Sequence, residues 1–172
     1  MSLILSLLLA ATAIAAPTPP PPTKCEGAEY AAFDFWVGDW AVYPNGADQQ
    51  VAESRIEKLY GGCAIRENWM PLKGAPGGSL SGYDPATGQW SQTWIGSAPG
   101  PVHFDGGPDG HGGMILTGFW RNVIAPGKHA LIRMTYSVVA PGQVRQFGQQ
   151  STDNGATWQP SFDFIYKRKT GA

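Results

Sequence analysis

The residues best placed to do chemistry are a carboxylate, two amides and a guanidinium interleaved with tryptophans. On the two-residue period of a β-strand, Ile65, Glu67 and Trp69 share one side of their segment, and Trp90, Gln92 and Trp94 share one side of another. Trp158, Phe162, Phe164, Tyr166 and Arg168 fall together in a third. A face that only filled a core would not carry Glu67, Gln92 or Arg168, since each costs about 1–3 kcal/mol when buried without a partner. Such groups either satisfy one another or line a wet cavity. The expected binding set is Glu67, Trp69, Tyr83, Trp90, Gln92, Trp94, Arg133 and Gln146. Its rings would stack on a small amphiphilic or aromatic molecule, and its polar groups would orient that molecule.

Glu67 admits two chemistries. Desolvated by Trp69 it could serve as a general base in a small lyase, isomerase or hydrolase. Paired with an inward Arg133 it stays ionised and only orients a ligand. No catalytic residue is assigned, because spacing does not reveal a Ser-His-Asp set and no G-x-S-x-G elbow is present. Binding without turnover is the leading reading. A third is an interaction module with a solid barrel, whose loops contact another protein.

The remaining motifs read as structure. His103, His111 and His129 are too scattered for a zinc site. A single histidine could ligate a haem, with His103 and His129 the candidates, but surface histidines are far commoner. No metal is expected. The run 105–113 is Gly-rich but lacks a helix to hold a phosphate, and reads as a hairpin tip. The run 151–158, S-x-D-x-G-x-T-W, reads as a turn in which Asp153 caps amides and Gly155 takes a positive φ.

These side chains need a scaffold. The chain has 172 residues, 15% charged, with a formal net charge of −1 and no block of like charge. It therefore lacks the electrostatic footprint of a nucleic-acid partner or an anionic membrane surface. The 23 Gly and 15 Pro suit many tight turns rather than a helical bundle. Residues 1–15 read as a secretory signal with an A-x-A cleavage site, and no cysteine follows to carry a lipid, so no stable membrane anchor is expected. Residues 16–24 are a Pro-rich tether, 25–168 the barrel and 169–172 a tail. Export, to periplasm or medium, makes a Cys25–Cys63 disulfide the expected state of the two cysteines, worth about 4 kcal/mol. Nothing in the pattern sets an oligomeric state.

A short helix or 3₁₀ turn is expected within 28–35. Turn signals then divide the chain into strands at 38–44, 51–60, 63–71, 78–84, 89–96, 101–106, 113–121, 129–139, 143–151 and 157–168. The fold class is thus all-β: about ten strands joined by hairpin-sized loops, in an up-and-down antiparallel barrel closed without edges. A β-sandwich is the alternative, but it usually needs longer crossing loops.

The stretch Phe33-Asp34-Phe35-Trp36-Val37-Gly38-Asp39-Trp40 carries the G-x-W element of lipocalin-like barrels. With Gly61-Gly62-Cys63, Glu67-Asn68-Trp69, Tyr83-Asp84-Pro85-Ala86-Thr87-Gly88-Gln89-Trp90, Gln92-Thr93-Trp94, Val144-Arg145-Gln146 and the Ser151 to Trp158 turn, the chain resembles a family of secreted bacterial lipocalin-like barrels of unknown function. The likeness runs over about 25–168. It implies a barrel whose base is closed by Trp40 under Arg168, a structural pair. It carries over no catalytic residues. Gly96-Ser97 depart from the pattern, where an Asp is expected after Trp94.

Overall fold

The computed structural model describes residues 24–170; the expected signal over 1–15 and most of the expected tether lie outside the described residues. Ten strands form one sheet: β1 (Gly38–Pro44), β2 (Ala52–Leu59), β3 (Ala64–Pro71), β4 (Gly77–Asp84), β5 (Gln89–Gly96), β6 (Val102–Pro108), β7 (Met114–Ala125), β8 (Lys128–Ala140), β9 (Gln143–Ser151) and β10 (Gln159–Arg168). Each pairs antiparallel with the next in sequence, and β10 returns to β1 from Trp40↔Arg168 to Pro44↔Phe164. That pairing closes an up-and-down barrel and excludes the sandwich.

Three boundaries depart from the sequence expectation. The β7–β8 hairpin is longer because Asn122 takes a positive φ and shifts the register beyond Trp120. Its amide donates to His129 Nδ1 and its side chain accepts from the Gly127 amide, so pairing resumes at Ala125↔Lys128. β6 runs through Gly106 to Pro108, leaving a tip in which the Asp109 carboxylate accepts the His111 and Gly113 amides. β10 shifts register between Pro160 and Phe162, so Trp158 leaves the face it was expected to share with Phe162 and Phe164.

One end of the barrel, the base, is plugged by the segment before β1. A short helix, α1 (Ala28–Ala31), and a 3₁₀ turn (Asp34–Trp36) stand where one element was expected. They bury Tyr30, Phe33 and Trp36. Phe33 stacks on Trp36 at 4.9 Å and meets Tyr136 and Trp90 edge-on at 5.0 and 5.8 Å. The Cys25–Cys63 disulfide, 38 residues apart in sequence, ties this plug to the turn before β3. Lys58 adds bonds to the Asp34 carboxylate and the Tyr30 carbonyl.

Trp40 and Arg168 close the base as the resemblance implies. The guanidinium lies 4.4 Å over the indole and donates to the Val37 carbonyl, while Trp40 Nε1 donates to the Trp36 carbonyl. A Cβ at Gly38 would collide with the guanidinium, which explains the glycine two residues before the tryptophan.

Candidate functional site

Above this packed base the lumen is not filled. A cavity of about 200 Å³ is lined by Glu67, Trp69, Gln92, Trp94, Phe104, Trp120, Met134, Gln146, Phe162, Phe164 and Tyr166. Trp69, Trp94, Trp120, Phe162 and Phe164 are half-buried and form the walls toward the end away from the plug. Two of them lie against glycines on the neighbouring strand: a Cβ at Gly77 would meet the Trp94 ring, and one at Gly148 would meet the Phe162 ring.

The polar floor is built from alternation that looks inverted. On β4, Ser79 and Ser81 point inward and are buried, whereas Leu80 between them is 47% exposed. On β2 the inward Ser54 sits between Glu53 and Arg55. The reason is Glu67, which is only 5% exposed. Ser54 Oγ donates to its Oε1 at 3.2 Å and Ser79 Oγ to its Oε2 at 3.1 Å. Ser81 Oγ accepts from Gln92 Nε2. Tyr166 donates to Gln146 Oε1 at 2.7 Å, and Gln146 Nε2 donates to the Tyr136 hydroxyl at 3.0 Å.

Among the described residues, no Lys, Arg or His lines the cavity, and Glu67 is the one buried carboxylate. Desolvation pushes its pKa up to about 7, against the pull of the hydrogen bonds from Ser79, Ser54 and Tyr166. The Tyr166 hydroxyl lies 3.5 Å from Glu67 Oε1. Its one hydrogen can turn to Glu67 or to Gln146; when it points to Gln146, a protonated Glu67 can donate to the hydroxyl and complete a chain reaching Tyr136. Burial, reinforced by Glu67, raises both tyrosine hydroxyls well above their ordinary range. The floor therefore carries one proton that is exchangeable near neutrality.

Five of the eight expected binding residues meet here: Glu67, Trp69, Gln92, Trp94 and Gln146. Arg133 does not. It lies on the outer side of β8, bonded to Gln149 and stacked 4.2 Å over Trp158. The expected Glu67–Arg133 pair is thus corrected, and Glu67 has no counter-ion. Trp90 faces inward but at the base, where it donates to the Glu29 carbonyl and packs on Phe33. Tyr83 also belongs to the base, edge-on to Tyr30 at 5.2 Å. Phe104, Trp120, Met134, Phe162, Phe164 and Tyr166 complete the wall. They were not among the expected binding residues, although alternation in β7 and β10 faces Trp120, Phe162 and Phe164 inward.

His103 and His129 are exposed on the outer wall, the first bonded to Thr93 and the second to the Asn122 amide, so neither reaches the lumen as a haem ligand. Among the described residues, no three His, Cys, Asp or Glu side chains gather as a metal site. The Ser151–Trp158 turn is held as expected: Asp153 accepts from the Ser151 hydroxyl and from the Thr157 hydroxyl and amide, which bring its pKa down to about 2, and Gly155 has φ 87°. No protein-family model matches the chain, and no curated protein matches it.

Proposed function

We propose that the barrel binds a small aromatic or amphiphilic molecule in its upper lumen. One observation carries this reading: a cavity of about 200 Å³ lined by seven aromatic residues, a carboxylate and two amides. A dry cavity of about 150 Å³ suffices for benzene in another protein, so this one suits a single ring or a short chain bearing a polar group. An unfilled lumen goes against the solid-barrel reading. A thermal-shift panel of small aromatic and amphiphilic compounds tests it, with native mass spectrometry of freshly exported protein to detect a retained ligand. At about 100-fold excess over Kd a ligand should stabilise by about 2.7 kcal/mol, raising Tm by about 5–10 °C. A panel that leaves both Tm and tryptophan fluorescence unchanged contradicts the reading.

A second reading follows from the raised pKa of Glu67, which suits a general acid or base. A Glu67→Gln variant that keeps ligand affinity but loses turnover would establish it. Export and membership of the secreted lipocalin-like barrels are proposals too. They are supported by the disulfide and by the Trp40–Arg168 closure.

A further inference from the structure

Glu67 is a carboxylate set among aromatic rings with no cation beside it. β2 presents Ser54 to it, β4 presents Ser79 and β10 presents Tyr166. Behind Tyr166 stand Gln146 on β9 and Tyr136 on β8. The facing groups from every packed strand are neutral; only the two tyrosines titrate, and burial keeps them protonated. Buried carboxylates ordinarily sit with an arginine, a lysine or a metal, because leaving one charged and unpaired is costly. Here each basic side chain lies elsewhere: Arg133 on Trp158, Arg145 on Asp163, Arg168 on Trp40.

Both Glu67 oxygens accept hydroxyls and keep further acceptor capacity, and the residue lines a lumen otherwise walled by rings, two amides and Met134. Aromatic faces attract cations, and they do so more strongly where water is excluded. Trp69 and Phe164 lie 5.7 Å apart and Trp69 and Tyr166 6.4 Å apart, so three rings gather in the lumen that Glu67 lines, with the Tyr166 hydroxyl 3.5 Å from its carboxylate. A carboxylate ligand would meet Glu67 as a like charge.

Resting on the binding reading above, we propose that the ligand is a small lipophilic ammonium ion whose nitrogen pairs with the Glu67 carboxylate while its apolar body lies against Trp69, Trp94, Trp120 and Phe162. The ammonium supplies the missing counter-ion and donates up to three N–H bonds to an acceptor-rich floor. Binding then requires Glu67 to be ionised. With its pKa pushed up to about 7 by burial, uptake of the cation weakens about tenfold per pH unit below that value.

The test uses three probes of similar size: 2-phenylethylamine, 2-phenylethanol and phenylacetate. Calorimetric titrations are run on the full chain and on Glu67→Gln at about pH 8, and on the wild type at about pH 5, where the amine remains protonated. The expected result is an amine-over-alcohol preference of at least about tenfold at pH 8. It should shrink to under about threefold in Glu67→Gln and vanish in the wild type at pH 5. The pH profile of the wild type decides the question by itself if the variant does not fold. An alcohol or carboxylate bound as tightly as the amine at pH 8, or a preference that survives in Glu67→Gln, overturns the ammonium inference and leaves the binding reading standing. Failure of all three probes to bind would overturn both.

Discussion

Replacing Glu67 by Gln should make the protein more stable in alkaline solution, and by an amount that depends on pH. The native state holds the Glu67 proton up to about pH 7, whereas an unfolded carboxyl releases it near 4.5. Between those values the folded chain binds more protons, so stability falls as pH rises. The contribution is fully present below about pH 4.5 and is lost above about pH 7. At about 1.4 kcal/mol per pH unit, the interval amounts to about 3 kcal/mol. Glutamine keeps the shape of the side chain and does not ionise, so its variant lacks this term. Asp153, Asp163 and Asp109 are held below the usual carboxylate range and act at lower pH in the opposite sense, but both proteins share them. Urea unfolding of both proteins at about pH 4, 6 and 8, followed by tryptophan fluorescence, isolates the Glu67 term as a difference. Relative to the variant, the wild type should lose about 3 kcal/mol from pH 4 to pH 8, or about 6–12 °C in Tm. A difference constant across that range within about 0.5 kcal/mol would refute the claim that Glu67 is buried without a counter-ion.

Arg133→Ala should leave ligand affinity unchanged in calorimetry while costing about 1 kcal/mol in unfolding, because it removes only a contact on the outer wall; a tenfold loss of affinity would return Arg133 to the site. Replacing Cys25 and Cys63 together by Ser should lower stability by about 4 kcal/mol in urea unfolding. Gly148→Val should push the Phe162 ring off its seat, lowering stability by about 1–3 kcal/mol and weakening any lumenal ligand measured beside it.

The strands were legible because turn signals punctuate them and because few loops are long enough to cross a sheet. Face was legible too: alternation on β3 and β5 placed Glu67, Trp69, Gln92 and Trp94 inside, where they are found. Height along the barrel was not. Trp90 obeys the same alternation as Trp94, yet one packs on the plug and the other walls the cavity, because strand tilt and the docking of residues 28–36 decide which end is filled. Arg133 was misplaced by charge reasoning, since a buried carboxylate ordinarily calls for a cation. The pattern of its own strand, with Ala130, Ile132, Met134 and Tyr136 buried, already turned it outward. The serines of the floor were not singled out, because small polar residues carry no inward signal of their own. Only the position of Glu67 across the sheet shows why Ser54 and Ser79 are inside.

The most direct test of a ligand-sized upper lumen uses the seven tryptophans as reporters of position. Titration of ¹⁵N-labelled protein with a binding compound, followed by indole N–H resonances, should move Trp69, Trp94 and Trp120. Trp36, Trp40 and Trp90 in the base and Trp158 on the outer wall should stay in place. Shifts confined to the base or to Trp158 would contradict the account.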